Sequence, residues 1–312
     1  MSIDQLINVL VTFTLVELMV AIGLSVTLAD VMTAAKNWRL VSKAALANYV
    51  CVPAATIALL LAFDTHPMVA VGFLILAVCP GAPFGPPLTA IAKGNVPAAV
   101  GLMFILAGSS AVVAPPLLRV LLPWVTGDQA VQIDTAKMVV TLLATQLAPL
   151  AVGLAARQWR PALAARLQRP ANQLSKVLNL LVIAVILTVQ FPMLAQIRWF
   201  GFIGMLTLLV VSLTVGWILG GPGSENRKTM ALTTSLRNAG VGLVFASSSF
   251  PGGPALTAVL AYALIEILGS VLLALLWSRR SGGKNRAEII GDGAGESPLK
   301  EEPPVLALPA RN

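Results

Sequence analysis

Cys79-Pro80-Gly81-Ala82-Pro83-Phe84-Gly85-Pro86-Pro87 and Ser235-Leu236-Arg237-Asn238-Ala239-Gly240 interrupt two otherwise apolar stretches, one in each half of the chain. In the first, four prolines and two glycines within nine residues forbid a continuous helix. Proline brings no N–H and its ring collides with the preceding turn. The second carries a cation. Backbone released from helical hydrogen bonds cannot face lipid, so each break must lie against protein or line a cavity. Two breaks in corresponding positions of two halves point to a carrier whose substrate site is built from discontinuous helices.

The surrounding chain reads as membrane. Hydrophobic residues make up 57% and charged residues 11% of the 312 residues, and the mean hydropathy is +0.86. Apolar stretches of roughly 20 residues, enough to cross a bilayer, run over 6–28, 40–63, 67–91, 96–122, 137–156, 174–191, 199–220, 229–250 and 254–277. The predicted fold is therefore an all-α polytopic membrane protein of about nine spans, with broken helices at 67–91 and 229–250. The transmembrane domain covers 1–277, and the Gly-, Pro- and charge-rich segment 278–312 is predicted to be a disordered cytoplasmic tail.

Short loops rich in Lys and Arg stay on the cytoplasmic side. With the N-terminus outside, Lys36, Arg39, Lys43, Lys93, Arg157, Arg160, Arg166, Arg169, Lys176, Arg227, Lys228, Arg279, Arg280, Lys284 and Arg286 fall inside, against Arg119, Lys137 and Arg198 outside. This predicts an N-out, C-in protein of the plasma (inner) membrane. The net charge of +8 needs no nucleic acid, since basic loops on anionic lipid account for it. The first span lacks the basic flank and small-residue cleavage site of a signal peptide. Cys51 and Cys79 lie inside apolar spans and read as small buried hydrophobes. His66 sits in a short connection and reads as an exposed loop residue. No Walker loop, zinc-ligand spacing or nucleophile–base pair occurs, so the chain is not read as an enzyme and no cofactor or metal is predicted.

Arg237 falls near the middle of its span, where an arginine costs about 2.5–3.5 kcal/mol to insert. The cytoplasmic surface is about nine residues, or 13 Å, away along the helix, beyond the reach of one side chain. Arg237 is either half of a structural ion pair or a fixed cation awaiting an anionic substrate. Glu266, at the centre of the last span, is its expected partner across the tight 251–254 turn. Glu17, at the centre of the first span, is either a proton-carrying carboxylate or a structural one. The Gly216 to Gly220 GxxxG spacing reads as close helix packing.

Cys79-Pro80-Gly81, Lys93-Gly94-Asn95, Asn48 with Pro53, Asn238-Ala239-Gly240 and Gly269-Ser270 together resemble the bile acid:sodium symporter family, within the larger group that also holds arsenite exporters and auxin carriers. The resemblance is collinear from about residue 18 to 277. It implies an inverted repeat, a core domain with two broken helices crossing at the midplane, a panel domain, and alternating access between them. The resemblance also marks departures. Where sodium-coupled members place a Ser-Asn pair, this chain has Gly85 and Pro86; where they offer a serine and a threonine it has Ala99 and Met103. Their Glu-x-x-x-Gln-Asn becomes Thr233-Thr234-Ser235-Leu236-Arg237-Asn238. Only the Asn48 amide survives in kind.

A fixed positive charge a few ångströms away repels a sodium ion by several kcal/mol, taking an effective dielectric of about 20. The expected function is thus sodium-independent secondary transport of a small organic anion, by uniport, exchange or proton linkage. Arg237, Asn238, Gly85, Pro86, Glu266 and Asn48 would form the site, with Glu266 and Glu17 as coupling candidates. A sodium-coupled organic anion symporter, with sodium ion as co-substrate, and a non-transporting sensor or scaffold are the alternatives.

Overall fold

A backbone in an apolar surrounding must satisfy its own N–H and C=O groups, and a helix does so within one segment. The computed structural model of the chain describes residues 2–127, 134–251 and 253–292. Among these every regular element is helical, and seven helices are long and apolar enough to cross a membrane by length and composition. The chain is an all-α polytopic membrane protein. The two predicted spans outside those seven are the interrupted ones, and each is a pair of shorter helices.

The first span is α1 (Ile3–Ser25), opened by a reciprocal capping box between Ser2 and Gln5. A short helix unforeseen in the sequence, α2 (Leu28–Lys36), follows at once. Thr27 and Asp30 cap it in the same reciprocal way, and their hydrogen bonds hold the Asp30 carboxyl below the usual range. Next come α3 (Trp38–Leu46) and α4 (Val52–Ala62), joined by a π turn over Ala47–Cys51. Pro53 lacks the N–H that would bond Tyr49, and the Val52 N–H bonds back to Ala47 instead. The same device recurs in the fifth span, where a π turn over Leu143–Leu147 precedes Pro149. A missing proline donor thus widens the helix by one residue in both places.

Then α5 (Pro67–Ala77) stops at the first break and α6 (Gly85–Ile91) resumes. The helix restarts inside the quoted 79–87 stretch, at Gly85 with Pro86 and Pro87 in its first turn, because prolines there need no donor and have φ preset for a helix. The chain continues through α7 (Val96–Leu121), α8 (Pro123–Thr126), α9 (Thr135–Leu142) and α10 (Ala148–Trp159) to α11 (Pro161–Leu194) and α12 (Trp199–Leu219). At 34 residues α11 is longer than its apolar stretch, with a basic first half. The second interrupted span comprises α13 (Ser224–Ser235) and α14 (Ala239–Ser249), and α15 (Pro254–Asp292) is last. That helix carries on past residue 277, where the tail was expected, and residues 293–312 lie outside those described.

Small residues set the helix spacing. Gly23 of α1 and Gly153 of α10 face each other so closely that a Cβ on either would strike the other helix's backbone. Gly216 of α12 and Gly220, its C-cap, meet the α13 backbone at Ala231 and Arg227 in the same manner. The GxxxG spacing therefore serves packing within the chain, as small residues do where lipid gives no hydrophobic drive to association. α1 also lies against α11 and α14, and α15 against α5.

Replacing Gly23 or Gly153 with valine overpacks a backbone contact that cannot yield. Each variant is expected to lose about 1–3 kcal/mol, read as a lower unfolding temperature in detergent.

Candidate functional site

The two breaks meet. The Asn238 N–H donates to the Cys79 carbonyl at 2.8 Å, so the unwound backbone of one half closes a hydrogen bond with that of the other. On the first side the unwound stretch is Val78–Phe84, between α5 and α6. Gly81 takes φ +89° and lies directly on the α7 backbone at Ala107, where no Cβ fits. On the second side only Leu236, Arg237 and Asn238 leave the helix. Asn238 caps α14 by accepting from the Val241 N–H at 3.3 Å. The far end of α6 is strapped to the other half as well: the Asn95 backbone N–H donates to the Thr229 hydroxyl oxygen at 2.8 Å, and its side-chain amide donates to Asn226 Oδ1 at 3.0 Å.

Arg237 is 2% exposed, buried within this crossing. Its Nη1 donates to the Ala77 carbonyl at 3.4 Å and its Nη2 to the Thr234 carbonyl. Both are the kind of carbonyl that a helix end leaves without an N–H partner. Its electrostatic neighbours are Tyr262, Glu266, Cys79 and Tyr49. The expected salt bridge to Glu266 does not form. Glu266 Oε1 instead accepts the Arg237 backbone N–H at 2.9 Å, because the break frees that donor and the carboxylate lies on α15 at the level of the break. The guanidinium and carboxylate compensate one another in charge from nearby without touching.

Several buried polar atoms here have no partner: Arg237 Nε, Asn238 Nδ2, Glu266 Oε2, Asn48 Oδ1, and the hydroxyls of Thr233 and Thr234. Asn48 lies in the first π turn, fully buried, and spends its amide N–H on the Ala44 carbonyl at 2.8 Å; it makes no hydrogen bond to Arg237. Gly85 and Pro86 open α6, next to Pro83 and Phe84, which line a cleft of about 50 Å³ together with Arg237, Ala239 and Gly240. Val11, Thr14 and Leu15 of α1, with Asn179 and Val182 of α11, form its opposite wall. Glu17 is away from the crossing. It accepts from the Ser175 hydroxyl of α11 at 2.6 Å and ties α1 to α11.

Three participants were given no site role by the sequence, although Ser270 belongs to a quoted motif. Tyr262 is 2% exposed, one turn before Glu266. Ser270, one turn after it, meets the Ser235 hydroxyl at 3.2 Å. The spacing Tyr262, Glu266, Ser270 puts three polar groups on one face of α15, a signal available in the sequence. Gln146, fully buried in the second π turn, donates to Ser110 at 3.0 Å and to the Ala107 carbonyl. A much larger cavity of about 940 Å³ opens on the opposite side of α15, among α4, α5, α12 and the start of α15; exposed His66 and Arg198 line it. His66 caps α5 through its Nδ1, which accepts from the Met68 N–H at 3.3 Å.

The model of the Sodium Bile acid symporter family matches residues 12–216, which takes in the first break and ends before the second. Among curated proteins, the chain is similar to a probable sodium/metabolite cotransporter, BASS2, chloroplastic, of Oryza sativa subsp. japonica. The two are 25% identical over 266 residues. That alignment covers 84% of this chain and 62% of the rice protein, so the chain spans less than two thirds of its relative's length.

The bond from the Arg237 amide to Glu266 sets a comparison between two variants. Glu266→Gln keeps an acceptor oxygen in place, whereas Glu266→Leu strands a buried N–H. The leucine variant is expected to be less stable than the glutamine variant by about 1–3 kcal/mol, measured by thermal unfolding in one detergent.

Proposed function

The chain belongs to the sodium bile acid symporter family, and from that premise we propose that this membrane transporter carries a small organic anion without sodium. The single observation behind the sodium-free reading is the seat of the Arg237 guanidinium. It bonds the carbonyls of Ala77 and Thr234, oxygen ligands of the type a hard monovalent cation takes from backbone. A tethered cation in their midst both fills their coordination and repels an incoming one. The donor set agrees with this: Gly85, Pro86, Ala99 and Met103 bring no side-chain oxygen, and the carboxylate of Glu266 is engaged by backbone.

On this reading the anion binds in the cleft beside the crossing, against Arg237 and Asn238. Their Nε and Nδ2 atoms are the donors the crossing leaves unspent. A charge-assisted hydrogen bond from an immobile guanidinium is strong in a water-poor site, and the first turn of α14 adds its dipole. At about 50 Å³ the cleft is far below the roughly 300 Å³ of an ordinary small-molecule pocket. The binding form therefore has α1 and α11 drawn back from the crossing, and transport alternates which end of the cleft opens. Glu266 serves as the coupling group where transport is proton-linked. On this reading the protein sits in the plasma (inner) membrane with its N-terminus outside, an orientation that the bias of Lys and Arg toward one set of loops supports.

A second reading follows from the relative's name, a probable sodium/metabolite cotransporter: sodium-coupled transport with ion sites moved elsewhere. One experiment separates the two. Uptake of organic anions into vesicles is measured with sodium, then with choline in its place. Sodium-independent uptake at an unchanged rate is expected, and a strict sodium requirement would refute the first reading. Arg237→Gln is expected to abolish anion binding, seen as loss of the ligand's thermal stabilisation in a variant that still folds.

A further inference from the structure

The unpartnered polar atoms do not stop at the crossing. Going from Glu266 toward the large cavity, the next groups are the Tyr262 hydroxyl and Ser212 Oγ, both buried, facing one another and bonded to no other group. Tyr262 stands one helical turn from Glu266, in electrostatic contact with it, and beside Ser212. One turn further along α15 is Ala258, and one turn back along α12 from Ser212 is Leu208; both line the cavity, with Phe73. Phe73 and Tyr262 hold their rings 5.6 Å apart at 53°. Phe73 thus forms part of the cavity wall with the Tyr262 ring against it, and the Tyr262 hydroxyl, with Ser212 beside it, neighbours Glu266, whose second carboxylate oxygen has no partner.

We propose that protons reach Glu266 from the 940 Å³ cavity through Ser212 and Tyr262, with the Phe73–Tyr262 pair as the gate. Buried hydroxyls with hydrogen-bonding capacity left over are the setting in which internal water is held, and hydroxyls with water make a relay. Each hydroxyl accepts one proton and passes another on, so the relay is unchanged and only Glu266 Oε2 gains or loses a proton. The charged and titratable groups facing that carboxyl are Arg237 of the second break and Tyr262, and Arg237 in turn neighbours Cys79 of the first break and Tyr49 of the first π turn. At the cavity mouth stand Asp64, His66 and Arg198. The route approaches Glu266 from the face opposite the anion cleft, so proton and anion have separate entrances to one crossing. The use made of the proton rests on the transport reading above; the route itself does not.

The test needs no transport. In purified protein exchanged into deuterated buffer, the infrared carbonyl band of protonated Glu266 is identified by its loss in Glu266→Gln, and its deuterium shift is timed. Tyr262→Phe keeps the ring against Phe73 and removes only the hydroxyl. It is expected to slow the shift by at least about tenfold, with Ser212→Ala acting in the same direction. In a chain whose Cys51 and Cys79 are replaced by alanine, a bulky thiol reagent on Thr257→Cys, in the cavity, should also slow it, whereas the reagent on Thr14→Cys, in the anion cleft, should not. Unchanged exchange in Tyr262→Phe, the reverse pattern for the two cysteines, or absence of a Glu266 band at every pH would each overturn the proposal. Failure of sodium-independent uptake would overturn the transport reading and leave this result standing.

Discussion

A backbone hydrogen bond between two interruptions, Asn238 N–H to Cys79 O, is the constraint on which the rest of the structure depends. In hydrocarbon an unmade bond of this kind costs several kcal/mol, so neither break is tolerable alone. Each supplies what the other lacks, and the halves of the chain are held in register by that need. The glycine contacts follow from it. Gly81 must lie on α7 at Ala107, and α12 must approach α13 as closely as Gly216 and Gly220 allow, or the breaks would not reach one another.

Arg237 extends the same logic to its side chain. A cation at this depth must be compensated, and the breaks provide freed carbonyls at Thr234 and Ala77. Its charge is balanced at short range by Glu266, which meanwhile satisfies the arginine's own backbone amide. One residue is thus bonded to helix ends on both sides and to a carboxylate through its main chain. This arrangement is stiffer than a salt bridge between two long side chains, since two of its partners are backbone. It also leaves Nε unspent, which a bidentate ion pair would have consumed.

The breaks were legible because proline, glycine and a mid-span charge are rare and each has a local physical meaning. Their partners were harder to see. Equal depth along neighbouring spans correctly brought Glu266 to Arg237, but no one-dimensional argument separates a bond to the guanidinium from a bond to the amide. Tyr262 and Ser270 share the face of α15 that Glu266 marks, and the four-residue spacing was there to be read. Gln146 was not accessible in the same way. Its role depends on α9 and the second π turn packing against α7 across a distance of 36 residues from Ser110, and a lone glutamine in an apolar run gives no direction. The short helix α2 announced itself only through the Thr27–Asp30 box, a signal hidden by the habit of reading membrane loops as spacers.

A borrowed cation and a tethered one solve the same electrostatic problem with different consequences. A borrowed ion completes an anion site only while bound, so the binding of two solutes is linked and a gradient of one drives the other. A tethered guanidinium completes the site permanently, and the anion no longer needs a companion; the linkage disappears with the ion. What can restore it is a second group at the crossing whose charge varies, and Glu266 is the one carboxylate among the described residues that lies there. Arg237 and Glu266 then divide a task that a single mobile ion would perform: the arginine supplies the constant field and the glutamate the variable one. For that division to hold, the variable group must exchange with solvent without opening the anion's own path. A carboxylate with one oxygen bonded to the Arg237 backbone, the other free, and Tyr262 one turn away on the same helix, meets that condition.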